Sequence, residues 1–492
     1  MRPRRLIRPL RSIAPVAVAA LLTGTLLAAG TGSADAELAP AATATVTVGS
    51  GSGARLGTSF VGFSFEANIL AGTAPSAGNL FQYMKTLGPG VMRFGANFVD
   101  MTFWTSKGEP RPSWAVATLT PTDLQRLATL ADKSGWKVIL GVNLKHPDPA
   151  RAADEAAHAQ RILGTRLMAI EVGNEPNYYP DYSTDKFWAD FQRYRAAINA
   201  AAPGVGLVGP SPGRVPAADA WLTDFAARET GHVDIKAFTG HYYPACAKNT
   251  PAPTITSLLS TAYRDGERKR ANLVASLARG LGVPGLLDEG NSVSCEGTDG
   301  VSDTFASALW GVDAHLLYAQ SGLSGFYLHS SIARCGAAKP LYKAYTPFCA
   351  ATDADAAAGL LRVRPVYYSS LLMRLLGTGR FASLTNSDLT RLRAYAVRNG
   401  TRLRLVLVNV TDPASNGPLI TTVHLGAAFT HGTRIALTAP SLTTQTGITL
   451  GGHFVGRDGT YAGADPTPVA VNGSDLTLSL PAGSATLITL TP

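Results

Sequence analysis

Long hydrophobic runs are missing from this sequence after residue 30, so no later segment has the length to cross a bilayer. Charge is scarce too: Asp, Glu, Lys and Arg make up 16% of the chain, with no basic run and no interleaving of basic and aromatic residues. That composition argues against nucleic acid as a partner. Cysteine is limited to four residues without a Cys-x-x-Cys pair, which argues against structural zinc. No group of His, Asp and Glu has metal-ligand spacing along the chain, and no metal or cofactor is expected. Internal repeats and long low-complexity segments are also lacking. What remains is a chain of 492 residues, 46% of them hydrophobic, enough for a large core and two domains. Its 50 glycines and 31 prolines imply many loops and turns.

Residues 1–36 read as a targeting segment. Arg2, Arg4, Arg5, Arg8 and Arg11 make a basic start, Ile13 to Gly30 is apolar, and Ala34-Asp35-Ala36 suits cleavage. A permanent span is the alternative, but Pro15, Thr23, Thr25 and many small residues make a poor one. Losing those five arginines and Asp35 lowers the formal charge from +9 to +5, a mild basic excess that would help attract an acidic sugar. The expectation is a secreted monomer with no membrane anchor after processing. Export permits disulfides. Of the three pairings open to four cysteines, Cys246–Cys295 and Cys335–Cys349 are the expected pair.

Ala42–Val48 alternates as a strand should. Eight short apolar runs follow: Phe60–Phe65, Val91–Gly95, Lys137–Asn143, Met168–Gly173, Gly206–Pro210, Ile235–His241, Gly285–Asp288 and Gly325–His329. Helix-like stretches separate them, including Thr122–Lys133, Ala150–Leu163, Thr184–Ala201, Leu258–Gly280 and Ser302–Gln320, with Thr122-Asp123 and Ser302-Asp303 as candidate caps. A doubly wound sheet would also bury such strands. The count of eight over roughly 320 residues favours a (β/α)8 barrel. Beyond Leu376 the runs Leu392–Val397, Arg402–Asn409, Leu419–Leu425, Thr433–Leu437, Leu476–Leu480 and Ala485–Leu490 read as strands, with Asn399-Gly400 as a hairpin turn. The expected organisation is a targeting segment (1–36), an N-terminal strand joining the second domain (37–54), a barrel (55–378) and a C-terminal β-sandwich (379–492).

Two strand ends carry the chemistry. Ile170 to Pro176 brings Asn174 and Glu175 to the end of the fourth predicted strand. Gly285 to Gly290 brings Asp288 and Glu289 to the end of the seventh. In a parallel barrel those ends form the catalytic face. Strands four and seven lie nearly opposite, so two glutamates there approach the roughly 5–5.5 Å separation of a retaining glycosidase. One carboxyl must be ionised to attack and the other protonated to assist departure, and mutual repulsion raises one pKa. Glu175 is read as acid/base and Glu289 as nucleophile. Strand-end salt bridges are the bland alternative. Strand alternation should turn Asp288 away from the lumen, and Glu171 should sit about 13 Å deeper than Glu175.

Several motifs together resemble glycoside hydrolase family 79, the β-glucuronidase and heparanase family. They are Gly62-Phe63-Ser64-Phe65-Glu66, Arg93-Phe94-Gly95-Ala96-Asn97, Gly173-Asn174-Glu175-Pro176, His241-Tyr242-Tyr243, Glu289 with Asn291-Ser292-Val293, Val301 to Trp310, Tyr345-Thr346-Pro347-Phe348 and Arg364-Pro365-Val366-Tyr367-Tyr368. The likeness spans nearly all of the chain after residue 36. It implies a barrel fused to a β-sandwich that takes the N-terminal strand, and hydrolysis of β-linked glucuronic acid in a glycan. It also implies that Glu66, Asn97, Asn174, Tyr243 and Tyr345 line the substrate site. The bland readings are a Glu66–Arg93 pair at the barrel floor, a loop cap for Asn97, strand-end backbone partners for Asn174, and packing for Tyr243 and Tyr345.

One loop departs from the family. Where its glucuronidases offer a tyrosine to the uronate carboxylate, this chain has Ser294-Cys295-Glu296. Arg334, Lys339 or Lys343 in the next loop are possible substitutes. Neutral β-glycosides (glucoside, xyloside or arabinofuranoside) are therefore the alternative substrates, and a non-catalytic carbohydrate-binding barrel is the alternative from another class. Exo and endo action are not distinguished. Other signals are discounted. Gly280–Gly285 spells a dinucleotide fingerprint but precedes a strand. Gly209–Gly213 spells a nucleophile elbow but flanks its serine with prolines. His241 is expected to hydrogen-bond within the barrel mouth. The sequons at Asn399, Asn409 and Asn472 are taken as chance.

Overall fold

The computed structural model describes residues 42–492 except 214–217, 233 and 337–342. The targeting segment, its cleavage site and Lys339 lie outside the described residues. Among the described residues no helix is long and apolar enough to cross a membrane.

Eight parallel strands close into a barrel: Val61–Glu66, Val91–Gly95, Lys137–Val142, Leu167–Val172, Leu207–Pro210, Ile235–Tyr242, Gly285–Gly290 and Gly325–Ser330. A helix follows each of them, in order Leu80–Leu87, Pro121–Ser134, Pro149–Leu163, Thr184–Ala201, Ala218–Glu229, Thr261–Gly280, Phe305–Gln320 and Tyr367–Leu376. Each strand is short and almost wholly buried, because the lumen takes one face and the helix ring the other. Val91, Ile139, Ala169, Val208, Ala237, Leu286 and Tyr327 fill the lower lumen. The barrel interior is thus packed below and polar above.

Helix starts differ from the sequence reading where capping chemistry decides them. The second barrel helix is capped by Thr120, with Asp123 at its third position closing a capping box. The sixth helix begins at Thr261 behind a Ser260 cap, and the residues before it form a separate turn, Ile255–Leu258, capped by Thr254. The seventh starts at Phe305, and Asp303 instead pairs with Arg364 and accepts from Gln445.

Two short pairs, Thr102–Trp104 with Ala117–Leu119 and Phe348–Ala350 with Leu361–Val363, stand apart, and the remaining described strands form one hydrogen-bonded sheet that folds over a second core. Thr43–Leu56 lies between Gly379–Asn386, antiparallel, and Leu419–His424, parallel, so the N-terminal strand belongs to this domain. Gly379–Asn386 has no counterpart among the predicted strands; its apolar residues are few, with Phe381 in the barrel-side core and Ala382 and Leu384 toward the sandwich core. Asn399-Gly400 turns a hairpin, with Gly400 at φ 59° as the tight turn demands. Alternation along Arg402–Asn409 shows how the domains join. Leu403, Leu405 and Leu407 face the sandwich core, whereas Val406 and Val408 face the barrel helices. A buried polar cluster lies at that junction: Asp313 is bound by Arg264 (3.0 Å), Arg393 (3.3 Å) and Tyr395, and Trp310 donates to Glu267 (2.7 Å).

Candidate active site

Glu175 owes its position to a turn, not to strand alternation. The fourth strand ends at Val172, and Gly173, at φ 76°, reverses the chain. Glu175 itself is left-handed (φ 46°, ψ 51°), an uncommon state for a residue with a side chain. Its N–H donates to the Ser211 carbonyl at 3.1 Å, and Pro176 starts a 3-10 turn. The extended spacing that would set Glu171 about 13 Å below Glu175 is broken at Gly173 and Glu175, and both carboxylates approach His241. His241 Nδ1 lies 2.9 Å from Glu175 Oε1, and a His241 nitrogen lies within 4.8 Å of a Glu171 oxygen.

Glu289 stands across the mouth. The nearest ligating atoms of Glu175, His241 and Glu289 all lie within 4.8 Å of one another. Asp288 does not turn away from the lumen as expected. The ladder to the sixth strand pairs Leu287 with Gly240 and then Glu289 with His241, so Asp288 is the extra residue of a β-bulge. The bulge turns Asp288 inward with Glu289. Its Oδ2 accepts from Ser211 (3.2 Å) and lies 3.7 Å from Arg93 Nε.

Arg93 organises the floor of the mouth. Its fully buried guanidinium binds Glu171 Oε2 (2.8 Å), Glu289 Oε2 (2.8 Å), Asn174 Oδ1 (2.8 Å) and Ser64 Oγ (2.9 Å). Above it a cleft of about 480 Å³ is lined by Asn97, Glu175, Tyr243, Glu289 and Tyr345 together with Lys343. Tyr243 donates to Glu289 Oε1 at 3.0 Å, and its ring meets Tyr345 at 5.9 Å. Asn174 is buried just beneath and donates to Asn97 Oδ1 at 3.3 Å. Glu66 does not pair with Arg93. It accepts from the Phe98 N–H (2.9 Å) and faces Lys343 Nζ (3.3 Å) and His329 Nε2 (3.6 Å), because Glu66 ends its strand one side-chain layer above Arg93.

The disulfides are Cys246–Cys295 and Cys335–Cys349. The first ties the loop after the seventh strand to the loop after the sixth. There Ser294 spends its hydroxyl on the Ala245 carbonyl at 2.9 Å, while Cys295 and Glu296 take positive φ of 60° and 74° beside the cleft. Arg334 is half exposed and paired with Asp353, away from the cleft lining.

The buried titratable groups of the mouth sit in unlike surroundings. Burial acts to raise the Glu289 pKa, but His329, His241, Arg93 and the Tyr243 hydroxyl outweigh it and hold the carboxyl well below its ordinary range. Burial and then the neighbouring Glu171 carboxylate push Asp288 well above its ordinary range, so this inner pair holds a proton. Burial acts to lower His241, but Glu289 and the hydrogen bond to Glu175 raise it. Glu171, His241 and Asp288 converge as a metal site would, yet the Arg93 guanidinium already supplies the positive charge among those carboxylates.

Sequence reasoning missed the central place of Arg93, the role of His329 and the inward turn of Asp288. An arginine inside an apolar strand and a histidine closing another were the available signals, since such groups are costly to bury without partners.

No protein-family model matches the chain, and no curated protein matches it significantly. Among solved structures it resembles a 4-O-α-L-rhamnosyl-β-D-glucuronidase from Fusarium oxysporum, with 20% identity over 91% of this chain and 100% of that one, at a TM-score of 0.72. A GH51 arabinofuranosidase from Xanthomonas axonopodis pv. citri matches with 14% identity over 91% and 100%, at 0.66. A GH39 enzyme from the same bacterium matches with 16% identity over 92% and 98%, at 0.56. At these identities the likeness shows the fold, a barrel with an attached β-domain that glycoside hydrolases share.

Proposed function

We propose that the protein is a secreted retaining glycoside hydrolase that cleaves β-linked glucuronic acid or a related uronide, with Glu289 as nucleophile and Glu175 as acid/base. The observation that carries this reading is the pair itself: two carboxylates within 4.8 Å of each other across one cleft. Glu289 is kept ionised by Arg93, its histidine neighbours and Tyr243, so it can attack the anomeric carbon. Glu175 faces the same space, 2.9 Å from His241, and gives its proton to the departing oxygen. In the second half-reaction it takes a proton from the water that frees the sugar.

For the uronate, the Ser294 hydroxyl in the loop after Glu289 is already engaged by the Ala245 carbonyl. Lys343 lines the cleft from the next loop and is the cation we assign to the sugar carboxylate, with Glu66 holding its ammonium. Secretion agrees with the two disulfides. The fold neighbours include a glucuronidase and also arabinofuranosidases, so the assay panel must include neutral sugars. The test is hydrolysis of aryl β-glycosides followed by proton NMR. Release from the β-glucuronide with the β-anomer appearing first is expected. Turnover of neutral glycosides alone would remove the uronate claim, and an α-anomer first would remove retention.

A further inference from the structure

A second cleft of about 430 Å³ opens between the segment after the second barrel strand and the segment after the third. Phe103, Trp104 and Trp114 come from the first segment, His146 from the second, and Arg151 and Glu155 from the helix that follows. Trp114 stacks on His146 (centroids 4.0 Å apart, 13° between planes) and meets Phe103 edge-on at 6.1 Å. Arg151 lies over the Phe103 ring at 4.5 Å and is already held by Asp148 (3.1 Å) and Glu109 (3.3 Å).

Glu155 is the unexplained member. It is only 6% exposed, it lines the cleft, and no hydrogen bond or ion pair with a described residue engages its carboxyl. Every other polar side chain named in this cleft has a partner or stacks on a ring. Its carboxyl oxygens keep access to the cleft, where the hydroxyls of a ligand can reach them. Burial, then the Asp154 carboxylate, pushes its pKa to about 8, so at neutral pH it offers one O–H donor and one acceptor without charge. That matches a vicinal diol. The apolar C–H face of a sugar ring suits an aromatic wall.

We propose that this cleft is an ancillary carbohydrate site that takes a neutral pyranose unit, with the sugar face against the Trp114–His146 wall and its hydroxyls on the Glu155 carboxyl. The link to a larger glycan rests on the glycosidase reading; the binding itself does not.

The experiment uses the whole protein labelled with 5-fluorotryptophan, with the Trp114 resonance assigned through Trp114→Phe. The probes are methyl β-D-glucopyranoside, methyl β-D-galactopyranoside and methyl α-L-rhamnopyranoside, titrated into the millimolar range of weak sugar sites. At least one is expected to shift the Trp114 fluorine signal saturably. The shift should weaken about tenfold in Glu155→Met, which keeps length but removes hydrogen bonding, and persist in Glu289→Gln. No saturable shift from any probe overturns the proposal, as does a shift that Glu155→Met leaves unchanged. Hydrolysis of a small aryl glycoside should stay within about twofold of wild type in Glu155→Met. A protein that hydrolyses aryl glycosides yet shows no Trp114 shift refutes this site alone. A shift in a protein that hydrolyses none refutes the glycosidase reading alone.

Discussion

Two of the buried ionic clusters among the described residues are built to opposite ends. At the barrel mouth one arginine, Arg93, faces three carboxylates: Glu171, Asp288 and Glu289. At the junction with the sandwich two arginines, Arg264 and Arg393, face Asp313, with Tyr395 and Trp310 satisfying the remaining acceptors. The mouth carries more acid than its cation can neutralise, so protons must be shared there and one carboxylate ends low while another ends high. The junction cluster lies where helices of the barrel meet a strand of the second domain. Excess carboxylate beside an open cleft, rather than burial or charge alone, separates the candidate site from the structural cluster.

The sharpest way to break that contrast is to remove one acid from each. We predict that Glu289→Ala lowers kcat/KM by about 10⁴-fold or more while thermal unfolding stays near wild type. Asp313→Ala should do the reverse, costing about 3–5 kcal/mol of stability by stranding two buried arginines, with turnover per folded molecule unchanged. Loss of activity with stability in both variants would erase the distinction.

Next in size is Arg93→Lys, which keeps the charge but loses the fork that joins Glu289, Glu171 and Asn174. A fall in kcat/KM of about 10²–10³-fold is expected. The acid limb of its pH profile should move upward, because a Glu289 carboxylate relieved of its cation protonates at higher pH. An unmoved limb would contradict the role given to Arg93. Tyr243→Phe removes one donor from Glu289 and should cost about 10–10²-fold in kcat with little change in unfolding temperature. A purely packing role predicts no change in rate.

The smallest effect sharpens the junction. Burial pushes Glu267 up to about 8 despite the Trp310 hydrogen bond. A carboxyl whose folded pKa is raised binds its proton more tightly in the native state. Its stabilising contribution is complete below its unfolded pKa near 4.5 and fades as pH rises toward 8. Glu267→Gln should therefore flatten the loss of stability between those values, by at most about 1.4 kcal/mol per pH unit. Denaturant unfolding across that range checks it, and parallel curves for the two proteins would count against a raised Glu267.

Much of the fold was legible because the barrel strands are short apolar runs with helices between them, and Asn174-Glu175-Pro176 and Asp288-Glu289 stand out as polar strand ends. What alternation could not supply was the detail within a layer. The left-handed Glu175 and the bulge at Asp288 both break the two-residue period, so the prediction of facing failed at Asp288 and the regular spacing assumed at Glu175 does not hold. The partner of Glu66 was also hidden, because Lys343 lies 277 residues away in sequence and meets it only when the barrel closes. Gly379–Asn386 was missed because its apolar residues are few.

The most direct test of the account is to trap the covalent intermediate. An activated 2-deoxy-2-fluoro-β-glucuronide should leave the protein with one sugar covalently bound, and peptide mass spectrometry should place that sugar on Glu289. A label on Glu175, Asp288 or Glu171, or turnover of the parent glucuronide with no label on any carboxylate, would contradict it.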